Sequence, residues 1–389
     1  MSGTGPRFED IDWDALEDEP SMPSGRTLAV IGVLAVTLTV FLYDYFVVEE
    51  GDPLVDLGSV AWDVTQLDWL FTLTLSFLVL YVAVPLYQHP RMTRHYWRQF
   101  RKNRAAVASL GYLLAFLGVG TIGPVLLEPP ALNVIAAYQP PVGTSVSADV
   151  PVQCLGSVVD GRCTATWAHP LGTTGQGKDI LKLVIFGMRV SLQVGLIATL
   201  LIILIGTAVG TTAAYFGGWV DEVLMRYVDI QLTFPTFFLY LLLVFLFGGS
   251  LFLLIVIFGL TSWGGIARLV RSEALQRREE AYIEAAIGAG ASELSIILRH
   301  IVPNVSNTII TAATLAIPGL ILAEAALSFI QLGDPSIPSW GLVIANGRGD
   351  LSTAWWVSTI PGVFLFVTIL AFNFLGDAFR DALDPRLER

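Results

Sequence analysis

An all-α polytopic membrane protein with about eight transmembrane helices is the fold class this sequence predicts. Three observations carry that reading. Of 389 residues 54% are hydrophobic and only 14% charged, little more than half the charge a soluble domain uses to wet its surface. Mean hydropathy is +0.66. Runs of about 20 mostly apolar residues, enough to cross a ~30 Å hydrocarbon core, recur along the chain. This excludes most soluble enzyme classes.

The elements follow in order. Residues 1–26 form an acidic tail: seven acids against Arg7 within residues 1–25, where a secretory signal would be basic. Pro20, Pro23 and Gly25 separate it from the first apolar run, and a disordered polar tail is expected. Spans are expected at 27–48, 69–87, 105–127, 190–214, 306–328 and 356–376. The apolar stretch 232–267 would run ~54 Å as one helix, so Gly248-Gly249-Ser250 is read as a turn between short spans at 232–248 and 251–267.

Charge sets the orientation. Residues 88–104 carry six Arg/Lys and no acid, whereas 49–68 carry six acids and no base. The basic loop is therefore expected in the cytoplasm and the acidic one outside. That places both termini inside, residues 128–189 outside and residues 268–305 inside, in a multi-pass protein of the cell membrane. The net charge of −11 resides in the tail and the 49–68 loop. With only three lysines (Lys102, Lys178, Lys182) it suits a salt-rich cytosol and disfavours a nucleic-acid partner.

Several motifs compete for a chemical role. Gly172 to Lys178 fits the phosphate-cradling G-x-x-x-x-G-K, but Asp179 stands where a Mg²⁺-binding hydroxyl belongs. The four histidines show no metal or haem spacing and none falls inside a span, so solvated or capping roles are expected. Cys154 and Cys163 flank a segment that Asp160-Gly161 can turn back on itself, and outside the cytoplasm a disulfide is favoured over two free thiols. Glu324 lies inside a span after Pro318-Gly319, which should kink the helix. Glu324, with Pro318 and Gly319, is a pathway or gating candidate, a structural bond of Glu324 to a neighbouring helix being the equal alternative. Asp44, near the outer end of the first span, is expected to reach water.

The loop 281–304 reads AYIEAAIGAGASELSIILRHIVPN. Glu284, Ala285 and Ala286 begin a helix that Gly288 and Gly290 interrupt; Ser292 then caps a second short helix ending before Pro303. Two short helices joined at glycine make a compact knob suited to docking in a partner's groove.

This segment resembles the EAA loop of binding-protein-dependent ABC importer permeases. Glu284, Ala285, Ala286, Gly290, Ala291, Ser292, Arg299, His300 and Pro303 carry the resemblance, His300 and Val302 following the dipeptide/oligopeptide variant. His169–Thr173 with Gly177–Asp179, Gly187–Leu192, Ala323–Ala325, Pro338–Gly341 and Asp381–Arg386 are similar to further motifs of that subfamily. The resemblance runs from about Trp97 to the end of the chain. It implies a six-helix type I importer core over 105–389, preceded by a basic elbow at 91–104 and an accessory two-span extension at 27–90. It also implies a homologous second permease, two cytoplasmic ATP-binding subunits that use Mg-ATP, an external substrate-binding protein, and dipeptides or oligopeptides as substrate. The chain itself would be no enzyme and hold no cofactor. The extension, with Asp44 as its one charge away from the span ends, is expected at the lipid-facing periphery. The rival class is a self-sufficient secondary transporter or channel coupling through intramembrane carboxylates.

Overall fold

A computed structural model describes residues 25–48, 54–56, 61–62 and 64–383; the expectation for the acidic tail and most of that for the 49–68 loop lie outside them. Helix α1 (Gly25–Val47) is apolar nearly all round. Its Thr37 and Thr39 hydroxyls donate to the carbonyls of Val33 and Ala35 at 2.8 and 2.7 Å, which removes their need for water in a lipid environment. Helix α2 (Gln66–Gln88) opens on a reciprocal capping box between Thr65 and Asp68. It widens into a π-type turn at Val79–Ala83 just before Pro85, relieving the clash a proline ring makes one turn back. Helix α3 (Pro90–Phe100) carries Arg91, Arg94 and Arg98 and is anchored by the buried ring of Phe100 against Phe379. Helix α4 (Arg104–Leu126) starts at Asn103, whose side chain accepts from the Ala106 amide.

A compact non-helical segment follows. Strands β3 (Ser145–Ser147), β4 (Val158–Val159) and β5 (Arg162–Thr164) form an antiparallel sheet of order β3-β5-β4; a smaller pair, β1 (Val55–Asp56) and β2 (Ala61–Trp62), precedes α2. Asp160 and Gly161 both have positive φ (50° and 73°), as a two-residue hairpin turn requires. Cys154 and Cys163 are joined by a disulfide.

Helix α5 (Ile180–Phe216) has 37 residues, ~56 Å of helix. The expected span at 190–214 is its latter part, and its start projects into the non-helical segment. Helices α6 (Gly218–Thr233) and α7 (Thr236–Phe247) bend by 70° at Phe234-Pro235. Here the straight span expected at 232–248 needs correction. Proline bars the residue before it from helical backbone, and the amphipathic α6, with Asp221, Glu222, Arg226 and Asp229, was hidden by its charges. Gly248 (φ 84°) makes the expected turn into α8 (Leu251–Thr261), and α9 (Gly264–Arg278) continues the line. Arg271 of α9 pairs with Asp221 of α6, and Arg268 with Asp229.

Helix α10 (Ala281–Gly288) leads to α11 (Glu293–Phe329). Ser292 caps α11 through the Ser295 amide, but the second helix does not end before Pro303. A π-type turn at Ile297–Ile301 lets the proline enter in the first turn of the next segment, where its missing N–H costs little. Pro318 likewise lies inside α11 without ending it. Helix α12 (Trp340–Gly347), capped by Ser339, and the long α13 (Trp356–Leu383) complete the chain. Among the described residues seven helices are long and apolar enough to cross a membrane, eight with the bent α6–α7 pair. The core lies between α5, α8, α9, α11, α12 and α13.

Because both cysteines are bridged, the unreduced denatured protein should take up no maleimide and the reduced protein two, one for each cysteine of the sequence. Mass spectrometry decides; labelling before reduction would contradict the bridge.

Candidate functional site

Two places concentrate chemistry: the knob at α10–α11, and a cavity lined by residues from the far end of α11 and the starts of α2 and α5. In the knob, α10 ends in a Schellman arrangement. The Ala291 amide donates to the Ala286 carbonyl at 3.1 Å and the Gly290 amide to Ile287 at 3.0 Å, with Gly290 left-handed at φ 79°. An added Cβ at Gly290 would meet open space, so glycine is needed for its backbone, not for fit. The base is apolar: Ile283, Ile296, Ile297 and Ile301 bury against Ala214, Val270 and Ala274 of α5 and α9. The Tyr282 and His300 rings meet at 6.4 Å across the two arms. Outward face Glu284, Ala285, Ser292 and Arg299, beside exposed Tyr282, Ile287, Leu294 (65%) and Leu298. Ala286, Ala291 and His300 are half-buried; Pro303 is exposed.

The other motifs interlock behind the cavity. Trp340 is buried, donates its indole N–H to the Val184 carbonyl at 3.1 Å and lies over Gly187, where a Cβ would stand 2.3 Å from the ring. A Cβ on Gly341 would stand 2.0 Å from the Ala325 carbonyl. Small residues at these points let the Trp340 ring of α12 lie on the α5 backbone and let α12 touch α11 backbone to backbone. Glu324 sits at this joint, 1% exposed, and accepts the Ser328 hydroxyl at 2.7 Å with Ser339 as a second partner. It belongs to the α11–α12 contact and is absent from the cavity lining.

The phosphate-loop look-alike also has a structural home. Asp179 caps α5 through the Lys182 amide and accepts from His169 Nδ1 at 2.7 Å. Thr173 receives the Trp356 indole N–H on its carbonyl at 3.0 Å, and its hydroxyl accepts from the buried Gln139 amide at 2.8 Å. Tyr138 meets Asp350, both in the cavity lining. Burial first, then that carboxylate, pushes its phenol pKa up, so the hydroxyl keeps its proton and donates.

The cavity, about 1160 Å³, is lined by Thr65, Asp68, Arg189, Gln193, Asp334 and Asp350 among others. Sequence reasoning missed Asp68. The apolar window placed the span start at 69, although Thr65-x-x-Asp68 is itself a capping-box signal for a helix beginning at 66. Asp68 accepts from Arg189 Nη2 at 2.6 Å and from Gln193 Nε2 at 2.8 Å. Asp44 also departs from expectation. It is half-buried and accepts the Trp69 indole N–H at 2.8 Å, so it ties α1 to α2 instead of only meeting water.

Comparison with known proteins fits this geometry. A family model described as a binding-protein-dependent transport system inner membrane component matches residues 202–389. The N-terminal TM domain of oligopeptide transport permease C matches residues 92–141. The oligopeptide transport system permease protein OppC of Haemophilus influenzae is 36% identical over 294 residues, 74% of this chain and 87% of that one. OppC of Escherichia coli K12 is 38% identical over 290 residues, 74% and 89%. The dipeptide transport system permease protein DppC of Bacillus subtilis is 35% identical over 299 residues, 76% and 87%. The chain belongs to the inner-membrane permease family of binding-protein-dependent transport systems. That membership sets aside the self-sufficient transporter or channel.

The close contact at Gly187 is testable. Gly187→Ala should force Trp340 from its site and cost on the order of 1–3 kcal/mol, read as a lower melting temperature of the detergent-solubilised protein. Unchanged melting would refute the interlock.

Proposed function

We propose that this chain is one of two paired permeases of a peptide importer, and that its knob carries ATP-driven motion into the spans. The observation that carries the reading is the knob itself. An apolar base clamps it to α5 and α9, while Glu284 and an apolar rim of Tyr282, Ile287, Leu294 and Leu298 face outward. A loop that merely connected two spans would gain nothing from exposing such a rim. A groove on a cytoplasmic ATP-binding subunit fits it, as a helix fits a groove. Movement there would pass to α5 and α9, to which the base is packed, and along α11, which carries most of that base.

Mg-ATP binds and is hydrolysed in two partner subunits; this chain carries out no covalent step. A homologous second permease supplies the other half of the pathway, and an external binding protein delivers substrate. Alternating access then requires two permease states that nucleotide and binding protein favour differently. Peptides as substrate are supported by the oligopeptide and dipeptide permeases named above. Both termini are assigned to the cytoplasm, supported by the arginines of α3 and by the disulfide-bearing sheet at the end opposite the knob.

Glu284→Lys and Gly290→Trp should each abolish peptide uptake in membrane vesicles and co-purification of the ATP-binding subunits, while membrane insertion continues. If uptake and co-purification both survive, the docking assignment is wrong. For topology, an impermeant thiol reagent added outside should modify Val159→Cys and spare Arg98→Cys. Outside labelling of Arg98→Cys would invert the chain.

A further inference from the structure

The α1–α2 extension lies before residue 92, where the family match begins, yet it inserts a carboxylate into the core. Asp68 is 7% exposed and Arg189 13%. One oxygen of Asp68 receives both Arg189 Nη2, at 2.6 Å, and Gln193 Nε2, at 2.8 Å. Its other oxygen receives the Thr65 amide at 3.1 Å. The capping box therefore aims the carboxylate as well as starting the helix. Arg189 and Gln193 stand one turn apart on the same face of α5, and both line the cavity. A guanidinium does not give up its proton in a protein, so at this burial it demands an anion. A charged donor joined by an amide donor on one acceptor oxygen is an arrangement suited to a carboxylate.

We propose that Arg189 and Gln193 form a carboxylate-binding subsite in the wall of the cavity, and that Asp68 is its tethered occupant. The extension is then a working part of the core: it fills this subsite and closes it to free carboxylates entering the cavity. This revises the peripheral placement expected for residues 27–90. Helix α1 stays mostly exposed, but α2 docks through a buried charge. The inference concerns the chain's own residues and stands whatever the transported substrate is.

The test is rescue by a small carboxylate. Asp68→Ala leaves space beside Arg189 and Gln193. In the full-length protein it should lower the melting temperature by several degrees. Sodium formate should restore most of that loss, and sodium chloride at equal ionic strength should not. Asp68→Ala that melts like the parent overturns the proposal, as does formate acting no better than chloride. Should Asp68→Ala fail to accumulate, the double variant Asp68→Asn/Arg189→Gln decides. With charge removed from both partners it should fold and melt above either single substitution. A double variant as unstable as the two losses added together contradicts the subsite.

Discussion

Hydrocarbon offers neither water to a charge nor a partner to a peptide group, so charges and peptide groups in a span depend on the protein itself for partners. In this chain that constraint selects the contacts that fix the bundle. Hydroxyls of Thr37, Thr74, Thr121 and Thr211 return to carbonyls in the preceding turn. Tyr112 reaches Thr368 across α4 and α13 at 2.8 Å, and Tyr240 of α7 donates to the Leu332 carbonyl at 2.7 Å. Glu324 is held at the α11–α12 joint, and Asp68 meets Arg189 between α2 and α5. Apolar packing drives the helices inward only weakly when lipid is as apolar as leucine. Polar pairs and glycine contacts therefore decide which helix touches which.

The same logic divides the protein into a braced interior and a deliberately unsatisfied surface. Around Trp340 the helices approach so closely that two glycines have no room for a methyl group. At the knob the arrangement reverses: the base is buried isoleucine and the outer rim is exposed Tyr282, Ile287, Leu294 and Leu298. A rigid base with an apolar rim transmits force only if something holds the rim, and this is the physical content of assigning it to an ATP-driven partner. The Asp221–Arg271 and Asp229–Arg268 pairs join α6 to α9 behind it.

Much of this was legible in the sequence because hydropathy and charge act locally. Seven of the eight expected spans coincide with long apolar helices among the described residues, and the Gly248 turn, the Ser292 cap and the Asp160-Gly161 hairpin turn were legible as well. What escaped was either charged or distant. Helix α6 escaped because its acids, paired with arginines some 40–50 residues on, broke the apolar signal. Asp68 was counted with the external loop, since its partner lies 121 residues away and leaves no periodic trace. Glu324 was recognised as exceptional, but only the fold could bring Ser339 of the α12 cap to it and leave it out of the cavity lining. Pro303 was misread as a stop because a π-type turn has no dependable sequence signature.

The central claim is that the α10–α11 knob sits in a cleft of an ATP-binding subunit on the cytoplasmic side. Site-specific photo-crosslinking from Ile287, which is exposed beyond the packed base, tests it most directly in the assembled complex. The account predicts a crosslink to the ATP-binding subunit whose yield changes when nucleotide binds. Crosslinks only to lipid or to the external binding protein would contradict it.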